Sequence, residues 1–182
     1  MEVYVGSSSQ VASLLWLVIC TTRPTVAILG RMPKTRSYRC VDHFDNAETF
    51  DRIAIIRMDA QFFFGNIGYL KDELHRRLRK VHDPVGVVLD ASSINGLDST
   101  AADMLQDLFV ELRGQNIEVF VSHVKGSVLS TMRQTGILDE LGAGHVFYEV
   151  DDAVRAAIRH READEAGVPP NLENFGPSDM ID

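Results

Sequence analysis

From Ile53 onward, short apolar runs alternate with stretches whose apolar residues recur every three or four positions, and the two patterns predict strands and helices in turn. RIAIIRMDA concentrates Ile53, Ala54, Ile55 and Ile56 in a short β-branched run, the mark of a strand buried on both faces. VGVVLDAS, IEVFVSH and HVFYEV repeat that pattern, and QFFFGN predicts a further strand directly after the isoleucines. Between these runs, Ile67, Leu70, Leu74, Leu78 and Val81 share one face of a helix with Asn66 at its N-cap. Met104, Leu105, Leu108, Phe109 and Leu112 share the face of another, closed by Gly114 at C′. Val128, Leu129 and Met132 mark a short third helix, and DDAVRAAIRHREA a fourth, capped by Asp151. Ahead of Ile53, TTRPTVAILG predicts a short strand ended by Gly30, then a charged excursion with one brief strand near Tyr38 to Val41. Together these elements predict an α/β fold: a mixed, largely parallel sheet of about four to six strands with about four helices.

The first 22 residues depart from this alternation. No charged side chain occurs from Val3 to Thr22, and VASLLWLVIC is densely apolar. That dense portion is about half the roughly twenty residues needed to span hydrocarbon, and no basic region precedes it as in a secretory signal. Three readings stand: a buried helix, the end of a final transmembrane helix, and a targeting segment.

Composition narrows the choice of partners. With 18 basic and 26 acidic residues the net charge is -8, which argues against a nucleic-acid backbone. Two cysteines, Cys20 and Cys40, form no CxxC pair and fit a reducing, cytosolic setting. Residues 164–182 have no basic residue and collect acids among prolines and glycines, which predicts a disordered tail.

Candidate chemistry is sparse. There is no GxxxxGK[ST], no GxGxxG and no GxSxG, and the six histidines never stand at the spacing of a helical zinc site. No constellation therefore points to an enzyme or a metal. Arg76, Arg77, Arg79 and Lys80 suit an anion or, more simply, a solvated helix face beside Asp72 and Glu73. GLDSTAADML remains, with Asp98, Ser99 and Thr100 leading into a helix. Thr100 with Asp103 matches a capping box, and Asp98 is an alternative cap. Ser99 is then left over just outside the helix, where a phosphate would meet favourable amide donors but also Asp98.

VVLDASSINGLDSTAADML resembles the central motif of STAS domains, which occur in sulfate permease (SulP) anion transporters and in bacterial anti-sigma factor antagonists. TRPTVAILGRMPKT and IIRMDAQFFFGN resemble the transporter branch, and SLLWLVI resembles the cytosolic end of that branch's last membrane helix. The resemblance divides the chain into residues 1–22, the end of a transmembrane helix; 23–163, the STAS domain; and 164–182, the tail. It implies a cytosolic regulatory domain joined to the transmembrane domain of an anion transporter, without transport activity of its own. The alternative it implies is a free-standing antagonist switched by phosphorylation at Ser99, although Ala101 stands where antagonists usually carry Gly. By the same resemblance Asp98, Thr100, Asn66 and Asp90 are candidate contacts for a partner or nucleotide. It requires no cofactor; weak nucleotide binding, a cytosolic protein partner and a homodimer stay open.

Overall fold

The structure is a computed structural model that describes residues 3–142 and 144–167. In chain order the elements are α1 (Val3–Thr22), β1 (Thr25–Arg31), β2 (Tyr38–Cys40), β3 (Ile53–Asp59), α2 (Ile67–Leu78) and β4 (Gly86–Asp90). They continue with α3 (Ser99–Gly114), β5 (Glu118–Ser122), α4 (Gly126–Gln134), α5 (Ile137–Leu141), β6 (Val146–Phe147) and α6 (Val150–Ala166). The strands form one sheet in the order β2-β1-β3-β4-β5-β6. β3 to β6 are parallel, and β1 lies antiparallel between β2 and β3. This is the mixed, largely parallel sheet the sequence predicts.

Both faces of the sheet are covered, and the side-chain period of two sorts each strand between them. Val26, Ala54, Ile56, Met58, Val87, Leu89, Val119 and Val121 face one core, closed by α2, α3, α4 and α5. Ala27, Leu29, Ile53, Ile55, Val88 and Phe120 face the other, closed by α6. α6 lies close because it packs with Ala153, Ala156 and Ala157, all fully buried. A Cβ at Gly86 would stand 3.6 Å from the Ala157 methyl, an ordinary contact, so the closeness rests on the alanines of α6.

Four local expectations change. QFFFGN is not a strand; only Phe62 pairs, in a single bridge to Leu97. The next two amides are taken by side chains, Phe63 N–H by Asn66 and Phe64 N–H by Asp98, so no ladder can continue. Gly114 does not occupy C′; it is the last helical residue, and the chain turns left-handed at Asn116 (φ 60°). Asp151 does not cap α6, whose N-cap is Glu149 without a side-chain bond. Asp151 instead lies buried, accepting from the Tyr38 hydroxyl at 3.0 Å and pairing with Arg155 at 2.8 Å. Burial and this carboxylate push the Tyr38 phenol up, tying β2 to α6. Finally, α5 fits between Gly136 (φ 80°) and Gly142 (φ 84°), too short to leave a helical period in the sequence.

The ends of the chain also differ from expectation. The buried-helix reading fails for the apolar side chains described on α1, since Val11 and Leu14 to Ile19 are 51–69% exposed. None of the described helices is long and apolar enough to cross a membrane. At the other end, residues 164–166 complete α6 rather than joining the tail, and Gly167 terminates it with φ 66°. The expected disorder of residues 168–182 lies outside the described residues.

Where β5 begins, Glu118 gathers cationic or imidazole groups from three other elements or their ends. His145 Nε2 approaches it at 2.9 Å, His160 at 4.0 Å and Arg113 at 3.4 Å, and Arg113 also reaches Glu140. Burial alone would raise the Glu118 carboxyl, but His145, Arg113 and His160 outweigh it and hold it below its ordinary 4.5. Burial lowers His160 below its ordinary 6.5, by more than Glu118 and Asp164 raise it. Both groups take up protons less readily folded than unfolded, so both favour the fold at higher pH. The melting temperature should therefore fall as pH drops below about 6.5 through His160, and fall further below about 4.5 through Glu118. His160→Gln should flatten the first limb and keep the second, as thermal melts across that range would show.

Candidate functional site

The residues singled out in the sequence lie at the C-terminal ends of β3 and β4, where two loops cross. Residues 91–98 leave β4 and climb to α3, while residues 60–66 leave β3 and pass alongside. Phe62 N–H donates to Gly96 O at 2.9 Å and Asp98 N–H to Phe62 O at 3.1 Å, so the loops are stitched by backbone first. A Cβ at Gly96 would meet only the flexible side chain of Gln61, its Nε2 at 2.8 Å, which can shift aside.

Asp98 then fastens the crossing with one carboxylate. Oδ1 accepts from Ala101 N–H at 2.7 Å, and Oδ2 accepts from Phe64 N–H at 3.1 Å. The first bond caps α3 where the helix dipole favours an anion. Thr100 is therefore not the cap, and the capping-box expectation with Asp103 gives way to the alternative. Asp98 prevails because a single side chain serves both a local amide and one 34 residues away. Ser99 is the first helical residue, not a residue outside the helix, and Ser99 and Thr100 are both exposed.

Asn66 has a different role from the one expected. It stands at the N-cap position of α2 but makes no side-chain cap bond. Nearly fully buried, it turns back on its own loop: Oδ1 accepts from Phe63 N–H at 3.1 Å and Nδ2 donates to Gln61 O at 2.8 Å. Nδ2 also lies 3.5 Å from Thr21 O, the last turn of α1. A cavity of about 380 Å³ opens at this junction, lined by Thr21, Arg23, Thr25, Asp59, Gln61 and Asn66 among others.

Asp90 belongs to a neighbouring cluster. Buried at the end of β4, it accepts from Ser92 N–H at 3.0 Å and faces His123 Nδ1 at 3.1 Å. His123, held left-handed (φ 55°), reaches Glu149 through Nε2 at 3.3 Å. Beside it Asp59 accepts from Arg57 Nε and from the Ser93 hydroxyl, each at 2.8 Å. Burial opposes but does not outweigh the Asp59 hydrogen bond, the leading influence, so the Arg57 guanidinium is held above its ordinary range. The structure thus unites Asn66, Asp98, Ser99 and Thr100 on one shelf and sets Asp90 apart with His123.

Phe64 is the shelf residue that sequence reasoning missed. It is 73% exposed, set edge-on to Phe63 at 6.0 Å. The signal available was the run of three phenylalanines, since successive positions cannot all face one core. Chemically the shelf offers an exposed hydroxyl at a helix start and, on the loop that Asp98 fastens to it, an exposed aromatic ring. No hydrogen bond joins the Ser99 hydroxyl to another described residue. Among the described residues no three His, Cys, Asp or Glu side chains converge on a metal-sized site.

Of the basic cluster, Arg76 and Arg77 are engaged by Glu73, whose carboxylate is almost fully buried and accepts from Arg76 Nε and Arg77 Nε, each at 2.7 Å. Burial would raise that carboxyl, but the two guanidinium groups outweigh it and hold it low.

The STAS domain family model matches residues 46–153, which contain β3 through the first turn of α6 and the whole shelf. The chain belongs to the STAS domain family. Within that family, the chain is 32% identical over 158 residues to probable sulfate transporter 4.2 of Arabidopsis thaliana, covering 81% of this chain and 23% of the relative. It is 29% identical, with the same coverage, to the chloroplastic sulfate transporter 4.1 of that plant. The chain thus spans about a quarter of the length of these curated relatives. Among solved structures, the murine Slc26a9 anion transporter in its inward-facing state shares the fold with TM-score 0.75 at 18% identity, over 87% of this chain and 26% of that one. The STAS domain of a SulP transporter from Vibrio cholerae aligns with TM-score 0.53 at 20% identity, over 65% of this chain and 91% of that one. In this STAS domain, Ala101 is fully buried and gives its amide to Asp98, so its methyl is part of the core and not of the shelf.

The two neighbouring residues of the STAS shelf should respond oppositely to truncation. Asp98→Ala leaves two amides without their acceptor and should cost about 1–2 kcal/mol. Ser99→Ala should change stability by less than about 0.5 kcal/mol. Urea titrations of the two variants measure the difference.

Proposed function

We propose that the chain is the regulatory and interaction STAS domain of a SulP-type sulfate (anion) transporter, held at the cytosolic face of the membrane by that transporter's transmembrane domain. It supports the folding or regulation of the transporter and has no transport activity alone. In this reading transport belongs to the transmembrane domain.

The observation that carries this reading is α1. Leu14, Leu15, Trp16, Leu17, Val18 and Ile19 are consecutive and all exposed. At about 100° per residue they point to every side of the helix. A soluble partner covers one stripe of a helix, whereas an apolar surface on all sides asks for hydrocarbon or surrounding helices. α1 runs into β1 through Arg23 and Pro24 alone, and Asn66 approaches its last turn at Thr21. The relatives named as sulfate transporters support the same reading, since the chain aligns with about a quarter of each.

The exposed Ser99 favours a second reading, a free-standing antagonist phosphorylated by a partner kinase. A fusion separates the two. The membrane portion of sulfate transporter 4.2, deprived of its own matching segment, is expressed with and without this chain in cells lacking sulfate uptake. The transporter reading expects uptake to return only with the chain, and Ser99→Glu to alter its rate through the added charge. Equal uptake with and without the chain, in fusions that reach the membrane, contradicts it. Stoichiometric phosphorylation of Ser99 by an anti-sigma kinase would instead establish the second reading.

A further inference from the structure

α6 ends against a cleft that the function above does not use. This cleft, about 500 Å³, lies between β1, the excursion before β3 and the residues after α2. Ile28, Val41, Phe50 and Val81 give it an apolar wall, and Lys80 and His82 stand on its lining as cations or potential cations. Neither Lys80 nor His82 forms an ion pair with another described residue.

The end of α6 is pinned to the same lining. Arg161 donates to Asp51 O at 3.2 Å, and Arg52 pairs with Asp164 at 3.1 Å and with Asp83 at 2.8 Å. Asp51 and Arg52 are themselves part of the cleft wall. Gly167, left-handed, then turns the chain out of the helix axis. Residues 168–182 follow, with Leu172, Phe175, Met180 and Ile181 set among Glu173, Asp179 and Asp182 and no basic residue.

We infer that the segment from Leu172 to Ile181 docks in this cleft of its own chain, Phe175 against the apolar wall and its acids toward Lys80 and His82. Three observations carry this: the anchoring of α6 at the cleft, the Lys80 and His82 side chains on a lining whose Arg52 is already paired and whose only acid is Asp51, and reach. Phe175 lies eight residues beyond Gly167, which allows about 26 Å of extended chain. A tether this short gives an effective concentration in the millimolar range, so a contact too weak to hold a free peptide still closes. The contact makes Lys80 the working member of the basic cluster, and it does not depend on the transporter reading.

Hydrogen exchange on the full chain tests it, at two protein concentrations. Residues 41–50 and 79–83 should exchange more slowly in the wild type than in Phe175→Ser, by about tenfold, the order expected for burying one aromatic side chain. β4 should be unchanged, and the difference should survive dilution. Lys80→Glu should remove part of the protection and add nothing once Phe175→Ser is present. Equal exchange in wild type and Phe175→Ser overturns the inference. So does a difference that vanishes on dilution, which would make the occupant a second copy, or one that extends to β4, which would report global stability.

Discussion

Burial of β3, β4 and β5 on both faces is the constraint from which the rest of the structure follows. Ile56, Val88 and Phe120 are fully buried, alternately toward one layer of helices and the other. Strands apolar on both sides cannot tolerate an uncovered face, so α2 and α3 must return over one side and α6 over the other. Parallel crossovers of this kind bring the strand-to-helix loops to the C-terminal edge of the sheet. Asp98, Asn66 and Ser99 come to one shelf there, and Asp90 to a cluster beside it, because connectivity delivers them, and Asp98 then fixes the loops relative to α3.

The elements with long periods were legible in the sequence, and so was the shelf's location. α2 and α3 left five-residue apolar stripes, and β4 a run that no helix of that length would carry. Interactions between distant residues were not legible. Thr100 satisfies the local capping pattern as well as Asp98 does; what decides is Phe64 N–H, brought in by the neighbouring loop. The same contact explains why three phenylalanines do not make a strand, since two of their amides are diverted to side chains. Asp151 likewise looks like a cap in sequence, whereas Tyr38, 113 positions away, draws it into the packing of α6.

Charge is distributed by the same logic. Carboxylates that the fold buries, Glu73, Asp90 and Asp151, and the half-buried Glu118, each face cationic or imidazole groups and link elements far apart in sequence or successive turns of one helix. Ser99 and Thr100, by contrast, stay exposed, as does Phe64. The interior is thus closed around paired charges, and the shelf presents a hydroxyl-rich surface of the kind that binding or modification can change without disturbing the core.

The central claim is that α1 is surrounded by a transporter's membrane domain when the protein works. Trp16, the single tryptophan of the chain and 69% exposed on α1, reports on this directly. Its fluorescence should be that of a water-exposed indole in the chain alone. In the chain joined to a SulP membrane domain in a bilayer that lacks other tryptophans, the emission should shift to the blue and resist an aqueous quencher. Emission and quenching that stay as in water would contradict the account.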